Sequence, residues 1–181
     1  MSLQPGLAFL HLERGDTDVA AASIRTAVQE VPPQSLRRAR LLQAQAGIAA
    51  NGRDAATARA AAIELTNIAA LHASTALKAF ATSAVGIASL AEGNASAALG
   101  QLCEACQLWL RVQAPYDAAR IRVYMASSLR DLDDKVSAII ELRAAHAVFD
   151  RLGACPDAAQ AIASIETLSE SLPAQYHLSN M

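Results

Sequence analysis

Small and apolar residues recur at helical spacing along the chain. In "GNASAALGQLCEA", residues 93–105, Ala98, Leu102 and Ala105 stand four and three positions apart. Residues at i, i+4 and i+7 form one apolar stripe on an α-helix, whereas a strand would show alternation. Runs of strand length rich in β-branched or aromatic residues are absent. The pattern therefore predicts an all-α protein.

The same offsets occur in three further stretches. They place Ala20, Ile24 and Ala27 in residues 15–27, Ala58, Ala62 and Leu65 in residues 52–65, and Ala138, Leu142 and Ala145 in residues 133–145. Gly, Asp or Asn before each stretch tolerates the left-handed turn that ends a preceding helix. The second copy, "GRDAATARAAAIEL", is read as carrying one extra residue in its turn. Each unit is thus a helix hairpin that buries its stripe only by stacking on neighbouring units.

These units predict four hairpins and a C-terminal capping helix, nine helices in all. The first helices are expected at about 3–14, 36–51, 72–91 and 116–132. The hairpins span about 3–31, 36–70, 72–110 and 116–152, the capping helix 157–171, the single domain 1–172 and a tail 173–181. We expect a right-handed α-superhelix without a sheet. Its predicted buried residues are Ala20, Ile24, Ala98, Leu102, Ala126, Ala138 and Leu142.

The repeat unit resembles the tetratricopeptide repeat (TPR). The resemblance in the first copy rests on Leu7, Ala8, His11, Gly15, Asp16, Ala20, Ile24, Ala27 and Pro32. The chain departs from that family in two ways: its first helices lack the usual Trp and Tyr, and its anchor alanines are 38, 40 and 40 residues apart. The resemblance implies divergent repeats of the TPR type.

In TPR arrays the first helix of each hairpin lines a concave groove, and the resemblance carries that role onto this chain. The inward positions would be Arg40, Gln43, Phe80, Ser83, Ile87, Arg120, Val123, Ser127 and Arg130. A groove that contains three arginines suits an acidic or carboxylate-bearing partner. The alternative is that these arginines are solvated or pair with Glu and Asp of a neighbouring hairpin.

Cys103 and Cys106 form a Cys-x-x-Cys pair inside the second helix of the third hairpin. An i, i+3 pair in a regular helix is poorly oriented for a disulfide. A four-cysteine zinc site would need a second pair, and Cys155 stands alone. We therefore expect both cysteines to be reduced, metal-free and buried in the core.

Composition and charge narrow the function classes. Of the 181 residues 43 are alanine, and the net charge of −2 gives no basic footprint for nucleic acid. The sparsely charged region between Glu64 and Glu92 contains Asn67, His72 and many Ser and Thr, which favours a buried helix pair over a membrane span. No signal-peptide pattern, P-loop or nucleophile elbow is present. We expect a cytoplasmic, non-catalytic protein without a cofactor.

Residues 115–154 carry a more specific pattern. It consists of Pro115, Tyr116, Asp117, Ala118, Ala119 and Arg120, then Asp133-Asp134, and then Glu141, Leu142, Ala144, Ala145, Phe149, Leu152, Gly153 and Ala154. This pattern resembles the last repeats of large MalT-like, LuxR-type transcriptional regulators, which have Gly-Asp in place of Asp133-Asp134. The resemblance implies the sensing or interaction segment of a regulator, with DNA binding assigned to other parts of the protein. The alternative is a stand-alone adaptor. The implied partner is a protein or peptide segment, or a small anionic effector.

Overall fold

A computed structural model of the chain describes residues 16–33 and 35–172, which form eight α-helices and no strand. The helices are α1 Thr17–Gln29, α2 Leu36–Asn51, α3 Ala55–Ala70, α4 Thr75–Ala91, α5 Ala95–Arg111, α6 Pro115–Asp131, α7 Lys135–Leu152 and α8 Cys155–Glu170. The all-α prediction is confirmed. The helix expected at 3–14 and the tail 173–181 lie outside the described residues.

The helices stack as consecutive hairpins. Each helix packs against its neighbours along the chain, and α4 also contacts α2 and α6. The first helices α2, α4 and α6 thus form one layer, and the second helices form the other. Small residues on α4, including Ala79, Ser83 and Gly86, are buried and allow the adjacent helices to approach closely. This two-layer stack of hairpins is TPR-like.

The turns between helices reuse one local geometry. Gly93 and Asp133 adopt left-handed backbone angles, with φ of 80° and 63°, as their residue types predicted. The next residue caps the following helix: Asn94 accepts a hydrogen bond from the amide of Ala97, and Asp134 accepts one from the amide of Ser137. Such caps satisfy amide groups that have no partner within the helix.

The second copy follows the same geometry, and its predicted extra turn residue is wrong. Gly52 has a φ of −80° and lies at the end of α2. The left-handed residue is Arg53, with φ 58°, and Asp54 accepts the capping hydrogen bond from the amide of Thr57 at 3.0 Å. Left-handed angles are uncommon for arginine, so the sequence pattern favoured the neighbouring Gly52 as the turn residue.

The predicted core is confirmed: Ala20, Ile24, Ala98, Leu102, Ala126, Ala138 and Leu142 are all buried. One continuous apolar cluster extends from α1 to α6. Two smaller clusters attach α7 and α8, one around Phe149 and the other around Ala138 and Leu142. The C-terminal end of the stack is therefore joined through less apolar contact than its centre.

Leucine in place of Ala98 or Ala138 should destabilise the protein. Both alanines have 0% exposed surface, so three extra carbon atoms must displace a neighbouring helix. We expect each change to lower the free energy of unfolding by about 1–3 kcal/mol, measured by urea denaturation. Ala60→Leu, at an exposed position of α3, is the control and should have little effect. Unchanged unfolding midpoints for both core variants would contradict the assigned helix packing.

Candidate functional site

A half-open cleft of about 170 Å³ lies between α6, α7 and α8. Its apolar lining comes from Val123 and Ala126 of α6, Leu142 of α7 and Leu168 of α8. The cleft therefore combines helices from the fourth hairpin with the helix that follows it. An apolar floor of this kind can accept an aliphatic side chain of a ligand.

Three hydroxyl groups line the same cleft. Ser127 donates a hydrogen bond to the carbonyl oxygen of Val123, and Ser164 and Thr167 donate to carbonyl oxygens one turn earlier in α8. Each hydroxyl hydrogen is thus used within its own helix. A hydroxyl oxygen can still accept hydrogen bonds, so the cleft wall offers acceptors for the N–H groups of a ligand.

Arg130 adds a positive charge at the cleft. Its guanidinium donates to one carboxylate oxygen of the adjacent Asp131, at 2.9 and 3.0 Å, and its side chain is 55% exposed. An exposed pair of this kind contributes little to stability. A ligand carboxylate could therefore compete for the guanidinium at small cost, with the bidentate geometry that arginine offers.

The charges of the other two predicted groove arginines act on one acidic side chain. Asp117 is in the first turn of α6, and burial raises the pKa of its carboxyl group above the ordinary value. The positive charges of Arg120 and Arg40 oppose that shift. The charges of Arg40 of α2 and Arg120 of α6 therefore both act on the carboxyl group of Asp117.

Within the layer of first helices, the side chain of Tyr124 on α6 also reaches α2. A Cβ atom built on Gly47 of α2 would lie 2.9 Å from the hydroxyl oxygen of Tyr124 of α6. Gln43, one turn before Gly47, is half-buried. The hydroxyl group of Tyr124 therefore lies against α2 one turn from Gln43.

The three residues predicted on α4 are engaged in packing. The ring of Phe80 stands edge-on to that of Trp109, with centroids 4.7 Å apart. Ser83 is fully buried: its hydroxyl accepts a hydrogen bond from the indole nitrogen of Trp109 and donates to the carbonyl oxygen of Ala79. The prediction that Ser83 lines an accessible groove is corrected, because Trp109 occupies the space beside it. Ile87, predicted at the next inward position, is likewise buried.

The cysteine prediction holds in part. Cys106 is buried, whereas Cys103 is half-buried, which corrects the expectation for that residue. Burial is the main cause that raises the pKa of both thiols, so both are held in the protonated form that reacts poorly. Across residues 16–33 and 35–172, no cluster of three His, Cys, Asp or Glu side chains could hold a metal ion.

Two arginines outside the predicted groove set pair with acidic side chains of a neighbouring helix. Arg38 of α2 pairs with Glu64 of α3 and also donates to the carbonyl oxygen of Val31 at 2.6 Å. Arg59 of α3 pairs with Glu92 at the end of α4. These cations connect successive helices, so they serve the packing of the array.

Sequence reasoning placed Val123, Ser127 and Arg130 on one face of α6, and all three line the cleft. It missed the residues that α8 contributes, because α8 was interpreted only as a cap. The available signal was the hydroxyl and leucine spacing of Ser164, Thr167 and Leu168, which puts these side chains on one side of a helix.

The packing and turn geometry define a TPR-like helical-repeat protein. A search of solved structures finds the one titled "MamA RS-1 ArsTM double mutant", with a TM-score of 0.40 and 17% sequence identity over 92% of this chain and 92% of that chain. No family model and no curated protein matches the sequence. Among the helices that the structure describes, none is long and apolar enough to cross a membrane.

Proposed function

We propose that this chain is a non-catalytic interaction module that binds a short protein segment in the cleft between α6 and α8. The observation that carries the proposal is the combination of an apolar floor, hydroxyl acceptors and the exposed Arg130 in one opening. The complementary ligand has an aliphatic side chain for the floor, a backbone whose N–H groups reach the hydroxyls, and an acidic side chain for Arg130.

The size of the cleft favours a peptide over a small anionic effector. Pockets that enclose small molecules usually measure about 300–1,000 Å³. The cleft measures about 170 Å³ and is half-open, which suits one side chain of a longer ligand. The rest of a peptide would extend over the surface outside the cleft.

We expect binding to depend on Arg130 and Ser127. Fluorescence polarisation with a library of acidic, aliphatic peptides should yield ligands, and Arg130→Glu should weaken them about tenfold or more because it removes a charge-assisted hydrogen bond. Ser127→Phe should block the cleft without unfolding the protein, since Ser127 is only half-buried. Arg151→Glu, the same charge change on an exposed residue that does not line the cleft, is the control.

Two outcomes would reject peptide binding in this cleft. A peptide that binds wild type and both cleft variants equally would place recognition elsewhere, with the surroundings of Arg120 tested next by Arg120→Ala. If no peptide binds but a free carboxylate compound raises the melting temperature of wild type and not of Arg130→Glu, the small-effector alternative replaces the peptide.

We further propose that this module belongs to a MalT-like, LuxR-type transcriptional regulator, with the stand-alone adaptor as the alternative. The support is the 115–154 motif. Its Asp133-Asp134 departure from Gly-Asp is compatible with the repeat turn, because Asp133 adopts the left-handed angle and Asp134 caps α7. Sequencing the gene on both sides of this segment is the test: an encoded helix-turn-helix domain supports the regulator, and its absence supports the adaptor.

A further inference from the structure

The outer face of α7 differs from the outer faces of the other second helices. The repeat register aligns two exposed positions on each of these helices. They are occupied by Ala56 and Ala60 on α3 and by Ser96 and Gly100 on α5, which are small residues. On α7 they are occupied by the large aliphatic residues Val136 and Ile140. The fold therefore does not require apolar side chains at these positions. Exposed aliphatic residues that packing does not explain point to an interaction surface.

Charged residues flank the two aliphatic ones symmetrically. The order along the chain is Asp133, Val136, Ile140 and Arg143, with spacings of three, four and three residues. All four are exposed. The three helical residues lie within about 60° of one another around the axis, at 100° per residue. Neither Asp133 nor Arg143 makes a side-chain ion pair with any described residue.

We propose that two copies of this chain associate through this face of α7, with the two helices antiparallel about a two-fold axis. In that arrangement Val136 of each copy meets Ile140 of the other, and Asp133 of each copy meets Arg143 of the other. The palindromic spacing makes one surface complementary to itself, which is the requirement for a two-fold interface. A parallel arrangement would instead place like charges together.

The surface is small, so the expected association of the two copies is weak. Asp133 and Arg143 are ten positions apart, which corresponds to about 15 Å at the helical rise, so the contact falls below the standard interface of about 1,600 Å². We therefore expect a weak dimer that forms with rising concentration. Leu142, which lines the cleft, is two positions from Ile140 and faces inward, so dimerisation leaves both clefts open.

Sedimentation velocity of the whole chain tests the dimer between about 10 μM and about 1 mM, the range of weak association. We expect the weight-average mass to rise from 18.9 kDa toward twice that value. Ile140→Asp should weaken the association at least about tenfold, because it buries an unpaired charge. Ile63→Asp on α3 is the matched control, since Ile63 and Ile140 are 56% and 58% exposed, and it should change nothing.

Charge reversal tests the antiparallel register. Asp133→Arg and Arg143→Asp should each weaken association, whereas the double variant, or a mixture of the two single variants, should restore it. The equivalent position of the second hairpin is Arg53 with φ 58°, so arginine is compatible with the turn at position 133.

A wild-type mass that stays at 18.9 kDa throughout the range would overturn the proposal. Equal losses in Ile140→Asp and Ile63→Asp would also overturn it. If Ile140→Asp abolishes association but neither charge reversal weakens it, the antiparallel register is wrong. Circular dichroism of each variant separates loss of association from loss of folding. Peptide binding in the cleft is measured separately, so failure of the dimer proposal can be told apart from failure of the peptide proposal.

Discussion

Trp109→Ala will lower the free energy of unfolding by about 3–5 kcal/mol, the range for removal of a large buried aromatic residue. Trp109 is 3% exposed at the contact between α5 and α4. Its ring packs edge-on against Phe80, and its indole nitrogen donates to the Ser83 hydroxyl at 2.9 Å. The substitution removes apolar contact, leaves a cavity and deprives a buried hydroxyl of its donor.

Two variants separate packing from hydrogen bonding at this site. Trp109→Phe retains much of the ring volume but removes the N–H donor, so it should cost less than Trp109→Ala. Ser83→Ala leaves the indole N–H buried without its acceptor and should cost about 1–3 kcal/mol. If the hydrogen bond stabilises the fold, both Trp109→Phe and Ser83→Ala therefore lower the free energy of unfolding clearly.

Urea denaturation followed by circular dichroism is the appropriate measurement, because the chain has one tryptophan and its removal abolishes that fluorescence signal. Leu110→Ala, at the next residue, is the control: Leu110 is exposed, and the change should cost less than about 0.5 kcal/mol. If Trp109→Ala costs no more than Leu110→Ala, the contact between α4 and α5 has been assigned incorrectly.

The fold could be predicted because its signal is local. The spacing of Ala98, Leu102 and Ala105 identifies a buried stripe without reference to any other helix, and all three residues are buried. Asn94 and Asp134 likewise act within their own turns, as capping residues do. Repetition of the unit then determines how the stripes are buried, since a hairpin can cover its stripe only with the next hairpin.

The candidate site was less predictable because it depends on contacts between distant residues. The TPR resemblance, applied to the helical register, placed Ser127 and Arg130 on the inner side of α6. It could not show that the charges of Arg40 and Arg120 both act on Asp117, because that depends on how closely α2 approaches α6. Ser83 illustrates the same limit: its position faces the inner layer, but the bulk of Trp109 decides that it is buried.

Leu102→Ala will lower the free energy of unfolding by about 2–5 kcal/mol, since Leu102 is fully buried between α5 and α4. The facing residue is Gly86 of α4. A Cβ atom at position 86 would lie 2.8 Å from Cγ and 2.9 Å from Cδ2 of Leu102, closer than packed carbon atoms tolerate. The leucine thus occupies the space that the glycine leaves, which predicts strong coupling between the two positions.

Because of this coupling, the effect of Gly86→Ala on the free energy of unfolding should change sign when Leu102 is replaced by alanine. In the wild-type background Gly86→Ala should cost about 1–3 kcal/mol, because the new methyl group collides with Leu102. In the Leu102→Ala background the same change should stabilise the protein by up to about 1 kcal/mol, because the methyl group enters the vacated space and alanine favours helix over glycine. A double-mutant cycle in urea measures the difference directly.

Gly100 provides the matched control for this cycle. It lies on the exposed side of α5, and an added Cβ atom would have no neighbour within 4 Å. Gly100→Ala should therefore stabilise the protein by about 0.5–1 kcal/mol in both backgrounds, through helix propensity alone. Additive effects of Gly86→Ala and Leu102→Ala would mean that a methyl group at position 86 does not meet the side chain of Leu102. That result would contradict the packing of α4 on α5 from which the TPR-like stack is built.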